Sequence, residues 1–198
     1  MIPRSLLVLT IVLFSGFNFQ SGTKANMWVI QKNCFLKVSG KTNVSGFNCV
    51  INTYAKPDTL TYFGSLTGPL KLSGSVQLDI KDFDCYDQLM TKDLRKTLKH
   101  KEYPKMIIHF ISLKRYPKFR EKPDAVTGFV AIELAGITKH FEVNYLFRSD
   151  GPAAATLVGT RKINFSDFNL DPPRKLGGVI KAGNELHVVF DLKFRIVD

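Results

Sequence analysis

"LKLSGSVQLDIK", residues 70–81, decides how this chain folds. Leu70, Leu72, Gly74, Val76, Leu78 and Ile80 fall on one side of an extended backbone. Lys71, Ser73, Ser75, Gln77, Asp79 and Lys81 fall on the other. A strict period of two marks an antiparallel strand with one face on the core and one in water. The pattern returns at residues 186–196, where Leu186, Val188, Phe190, Leu192, Phe194 and Ile196 alternate with mostly polar neighbours. It appears again in Val126, Val130, Ile132 and Leu134, and in Phe141, Val143, Tyr145 and Phe147. Ala135-Gly136-Ile137-Thr138 interrupts those last two runs as a hairpin turn would. Further strands are expected at residues 28–32, 35–39, 44–53, 106–113 and 157–165. Pro172-Pro173 makes residues 169–175 a loop, because proline cannot donate to a ladder.

So many one-sided strands need their apolar faces covered. A sheet closed on itself covers them and removes the exposed edges, whereas a two-sheet sandwich covers them nearly as well. Several runs exceed the usual strand length of about five or six residues, which favours the barrel. The expected fold class is all-β with one accessory helix.

The helix lies in "DLRKTLKHKEYPKMIIHF", residues 93–110. Met90, Leu94 and Leu98 recur every four residues on one face. Thr91 is a candidate cap and Asp93 falls in the expected first turn, while Arg95, Lys96, Lys99, His100 and Lys101 crowd the end that favours positive charge. Tyr103 precedes a proline, so the chain turns extended there. The strand that follows is apolar on both faces: Met106, Ile108 and Phe110 against Ile107, Ile111 and Leu113. A helix laid on the barrel wall or across one mouth explains the second apolar face.

The chain has 198 residues, enough for one domain with a substantial core. Residues 1–25 read as a cleaved secretory signal peptide: Arg4, an apolar run from Leu6 to Phe14, then Thr23-Lys24-Ala25 with small residues at −3 and −1. Residues 26–198 remain as the mature domain, expected in the periplasm or outside the cell. Lys and Arg number 28 against 17 Asp and Glu, a formal charge of +11. Such a balance suits peripheral contact with an anionic membrane surface, yet the basic residues are scattered and no nucleic-acid-binding signature accompanies them. An oxidising compartment lets one pair of the three cysteines bridge. Cys49 and Cys85 sit in similar Phe-x-Cys settings and are favoured; Cys34 with Cys49, facing across a hairpin, is the rival.

Several segments together resemble the YceI family of exported bacterial proteins. Tyr103-Pro104 before an aliphatic strand resembles that family's helix–"YP"–strand passage. "GFVAIELAGITKHF", residues 128–141, resembles its "G-x-L-x-(apolar)-x-G-V-T-K" hairpin, with Gly136, Thr138 and Lys139 at the turn positions. "INFSDFNL", residues 163–170, resembles "INRSDFGI", retaining Ser166-Asp167-Phe168. The resemblance implies a lipocalin-like antiparallel eight-stranded β-barrel with a helix and a long apolar lumen. It further implies a long-chain isoprenoid or other amphiphilic lipid as partner, held without metal or other cofactor. The chain departs from better-known members at Phe165, where they often carry Arg, at Asn169, where they carry Gly, and in lacking a helix His, so it reads as a divergent branch.

On that reading the candidate ligand-lining residues are Leu72, Val76, Leu78, Ile108, Phe110, Ile132, Phe141, Tyr145, Phe190 and Phe194. Arg95 and Lys99, on one side of the helix, are weaker candidates for a headgroup. Catalysis finds no support in the residues. His100, His109, His140 and His187 are dispersed, no Gly-x-Ser-x-Gly elbow exists, and no zinc-ligand spacing occurs. The expected function is non-catalytic retention of a long apolar chain in the lumen. The alternative is a packed barrel that serves as an interaction or structural module of the cell envelope, with no small-molecule ligand.

Overall fold

The computed structural model describes residues 26–54, 56–65, 67–175 and 178–197. The expected signal peptide, residues 1–25, lies outside the described residues. In chain order the strands are β1 (Asn26–Ile30), β2 (Cys34–Thr42), β3 (Gly46–Tyr54), β4 (Thr59–Gly64), β5 (Leu70–Ser73) and β6 (Ser75–Asp79). After helix α1 (Gln88–Thr97) come β7 (Lys105–Leu113), β8 (Asp124–Leu134), β9 (Ile137–Gly151), β10 (Ala154–Asn164), β11 (Arg174–Lys175) and β12 (Ile180–Val197).

The ladder runs β1-β4-β5-β7-β8-β9-β10-β12 and returns from β12 to β1, all antiparallel. That closes a barrel. β1 and β2 lie end to end against β12, β4 and β3 against those two, and β5 and β6 against β7, so the barrel has eight staves. The alternating run at residues 70–81 is thus one stave broken at Gly74. There φ is +134°, and a Cβ would stand 2.4 Å from the Thr59 carbonyl oxygen. Only glycine fits that bend. The Ala135-Gly136 turn joins β8 to β9 with positive φ at both residues, the two-residue hairpin geometry that matches strand twist.

The two ends of the barrel are built differently. At the end carrying the β7–β8 and β9–β10 connections, ladders are continuous around the wall and the interior is solid with aromatic rings. Trp28 is fully buried there, its ring centroid 5.0 Å from that of Phe194, 5.2 Å from Tyr62 and 5.8 Å from Phe147. Tyr116 and Phe119 of the β7–β8 connection close the end beneath it, at 6.4 and 6.1 Å. Arg115 pins that connection by donating from two nitrogens to the Asp124 carboxylate, at 2.6 and 2.7 Å.

At the α1 end the wall lapses twice. β9 and β10 pair only as far as Asn144 and Thr160, and then each continues without the other. A 3-10 turn, Phe165–Phe168, packs into the resulting notch, where Phe168 meets Phe141 at 6.0 Å. Between β3 and β6 the described residues form no strand ladder. That seam is crossed by the bridge between Val50 and Asp84 and by the Cys49–Cys85 disulfide. Cys34 is the free, buried thiol, and burial pushes its pKa up.

Helix α1 lies across this mouth and not on the outer wall. Leu94 and Leu98 are buried, Met90 partly so, while Ile107 and Ile111 on the outward side of β7 stay only half-buried. A register shift between Phe110 and Ser112 explains Leu113, which the shift turns inward. The expected cap also moves. Asp87 is the N-cap and accepts from the Met90 backbone N–H at 2.6 Å; Thr91 accepts instead from the Cys85 N–H. Asp93 therefore falls beyond the first turn.

Candidate functional site

Toward α1 the aromatic packing gives way to aliphatic side chains, and they enclose an apolar cavity of about 40 Å³. Strand alternation supplies its walls: Leu36 and Val38 from β2, Met106 and Ile108 from β7, Val130, Ile132 and Leu134 from β8, and Val143 from β9. Ile163 of β10 and Leu186, Val188 and Phe190 of β12 complete them. Phe83, Leu94 and Leu98 form the roof. Arg161 is the one charged side chain in the lining. A smaller space, about 10 Å³, lies toward the β3–β6 seam among Tyr54, Val76, Leu78, Phe110 and Leu192. Leu36, Ile108 and Phe190 line both spaces, so they form the partition between them.

Phe190 can sit there because of its partner across the ladder. Gly159 pairs with Phe190, and a Cβ at residue 159 would stand 2.2 Å from the ring. The missing side chain is where the ring lies.

The expected lining divides accordingly. Ile108, Ile132 and Phe190 face the larger cavity, and Val76, Leu78 and Phe110 face the smaller one with Ile108 and Phe190. Leu72, Tyr145 and Phe194 point inward and are buried, but they line neither space. Phe194 belongs to the aromatic plug, and Tyr145 packs on Phe147 and Phe190 at 6.0 Å each. Phe141 lies at the rim, between Phe168 and the Arg161 guanidinium. Around Trp28 the long apolar lumen that the resemblance implied is packed with aromatic rings.

Val130 shares strand parity with Ile132, and Leu186 and Val188 share it with Phe190, so alternation would have found them; Leu36 and Val38 alternate on a strand from which no lining residue was singled out. Leu94 and Leu98 were legible as a helix face, but their place over the mouth was not. Arg161 carried a fainter signal, as the one cation on the inward parity of residues 155–163.

Arg95 and Lys99 do not act as a pair. The helix ends at Thr97, Leu98 is its C-cap and Lys99 has φ of +53°, so the expected four-residue stacking is broken. Arg95 is occupied in structure: its Nε and Nη2 donate to the Phe83 carbonyl at 3.2 and 2.7 Å, tying α1 to the segment carrying Cys85. Lys99 faces an open groove beside residues 169–174. Another open groove, about 650 Å³, runs past Lys81, Asp87, Lys92 and His100 with mixed polar walls. Among the described residues no group of three or more His, Cys, Asp or Glu side chains is placed to hold a metal. No described helix is long and apolar enough to cross a membrane.

A family model described as the YceI-like domain matches residues 21–194. The fold is similar to that of a polyisoprenoid binding domain from Saccharophagus degradans implicated in plant cell wall breakdown. The TM-score is 0.59 at 12% identity, covering 85% of this chain and 97% of that one. It is also similar to BcnA of Burkholderia cenocepacia, with a TM-score of 0.50 at 16% identity, covering 80% of this chain and 95% of that one. At such identities the likeness is one of fold. No curated protein matches the chain by sequence.

Proposed function

The chain belongs to the YceI-like domain family, and from that premise we propose that it is a non-catalytic protein that retains a long apolar chain, isoprenoid or another amphiphile, at the α1 end of its barrel. The observation that carries this reading is an apolar cavity walled by rigid strands but roofed by one short helix.

The roof has to move. Ligand sites for molecules of drug size enclose roughly 300–1,000 Å³, and the cavity holds about 40 Å³. Lifting Leu94 and Leu98 opens the cavity, and a tail entering there takes the place of the two leucines in a lining shared with Met106, Ile108 and Val130. Each buried CH₂ contributes about 0.8 kcal/mol, so a chain of modest length offsets both the displaced leucines and its own lost freedom. The aromatic plug limits how deep the tail goes. The domain fold of the Saccharophagus degradans relative, itself a polyisoprenoid binding domain, supports the ligand class.

Export is part of the proposal, with residues 1–25 as a removed leader and residues 26–198 as the working domain. The apolar run from Leu6 to Phe14 supports it, as does the Cys49–Cys85 disulfide, which persists in oxidising compartments. The small volume and the ring-packed end around Trp28 favour the second reading, a packed envelope module with no small-molecule ligand.

Native mass spectrometry of gently purified protein, followed by organic extraction, separates the two. Retained lipid of definite mass, or stoichiometric uptake of an added long-chain alcohol, is the expected result. A protein that emerges empty and takes up none of the added alcohol is a packed module.

A further inference from the structure

Inward positions on β10 alternate as Ala155, Leu157, Gly159, Arg161 and Ile163. Four are apolar or lack a side chain, and the fifth is a guanidinium that shares the cavity lining with Ile163. Arg161 is nonetheless solvent-exposed. The ladder explains how both hold: Thr160 and Asn144 are the last β9–β10 pair, so Arg161 is the first residue past the split. It stands where the apolar interior reaches the surface.

Its electrostatic setting is equally specific. Neighbouring Lys162, on the outward parity, pairs with Glu185 at 3.0 Å. Among the described residues the Arg161 side chain has neither an ion pair nor a hydrogen bond; its guanidinium carbon lies 5.7 Å from the centroid of the Phe141 ring. Stacking on an aromatic face holds the planar group while leaving its edge donors free. That edge presents parallel N–H groups matched to a carboxylate or phosphate. An apolar cavity ending at one unpaired, ring-supported guanidinium is complementary to a molecule with a long tail and an oxyanion head.

We propose that the ligand of this barrel is an anionic amphiphile, its head held by Arg161 at the β9–β10 notch and its tail beneath α1. The inference rests on the proposed lipid-binding function and names the ligand's head chemistry. Carboxylate and phosphate heads share that chemistry.

The test compares three probes of equal chain length, each below its micelle concentration: a fatty acid at a pH where it is ionised, a monoalkyl phosphate, and the neutral alcohol. Binding is followed by calorimetry on wild type, Arg161→Leu and Arg161→Lys. Wild type is expected to bind at least one anion about tenfold tighter than the alcohol, as a charge-assisted hydrogen bond provides. Arg161→Leu should lose that preference while keeping its alcohol affinity, and Arg161→Lys should keep part of it. Whichever anion shows the larger preference identifies the head. Equal affinity for anion and alcohol in wild type, or a preference that survives in Arg161→Leu, overturns the assignment. A wild type that binds none of the three overturns the lipid-binding reading and the inference with it. Melting curves show which variants are folded, and Arg161→Gln replaces the leucine variant should that one fail to fold.

Discussion

The Tyr145 hydroxyl lies inside the barrel without a hydrogen-bond partner among the described residues, and burial pushes its pKa up. A desolvated hydroxyl with no partner costs free energy that a phenyl ring of the same shape does not. Tyr145→Phe is therefore expected to stabilise the protein by about 1 kcal/mol, read as a higher urea midpoint at unchanged slope; a lower midpoint would mean the hydroxyl is bonded. Asp124 shows the opposite case. The Arg115 guanidinium beside it, with the Lys118 backbone N–H, holds its carboxyl well below the usual range, at about 2. A depressed folded-state pKa contributes stability that is complete above the unfolded value of 3.8 and disappears as pH falls through about 2. Arg115 is partly in solvent, so screening reduces the contribution to about 1 kcal/mol. Asp124→Asn should lose that amount at pH 7 and progressively less as pH falls from the unfolded value through about 2, in paired denaturation curves.

Among the elements, α1 depends on its attachments to the barrel. It has ten residues, and isolated helices shorter than about 12–15 residues are marginal in water. Four attachments hold it: the Asp87 cap, the Arg95 bond to Phe83, the buried Leu94 and Leu98, and the Cys49–Cys85 disulfide just ahead of it. The disulfide also crosses the β3–β6 seam, where ladder bonds are missing. Closing a loop with a sequence separation of 36 restricts the unfolded chain by about 3–4 kcal/mol. Cys49→Ser with Cys85→Ser should cost that much in global stability. Hydrogen exchange should quicken first in α1 and at the edge of β3, and protection retained in both would show that the seam holds without its staple.

For the whole molecule, the division into a solid end and a roofed end sets how a ligand changes stability. The rings around Trp28 are packed without a ligand, so binding at the α1 end would add to an existing structure. A ligand present at a hundredfold its Kd stabilises by about 2.7 kcal/mol, which for a chain of this size raises Tm by about 5–10 °C. Such a rise is expected with a long-chain lipid and should shrink as the chain is shortened below the length of the α1-end cavity. A rise independent of chain length would place the binding outside the barrel.

The alternation of residues 70–81, 126–134, 141–147 and 186–196 by itself determined those one-sided strands and their inward faces, because side-chain direction in a strand follows from sequence parity alone. Strand length and the family resemblance, not parity, favoured a barrel over a sandwich. The sequence also supplied the helix at Leu94 and Leu98, whose four-residue spacing is equally local. Parity does not say whether an inward side chain meets another or a void. Tyr145 and Phe194 therefore read the same as Ile132 and Phe190, although the first pair packs solid and the second borders a cavity. Only the tertiary structure decided that β9 and β10 part after Asn144 and Thr160, that α1 ends before Lys99, and that Arg161 stands unpaired at the opening. Beyond the split β9 stays with β8 and β10 with β12; which neighbour a strand keeps depends on the whole barrel, and parity within one strand does not record it.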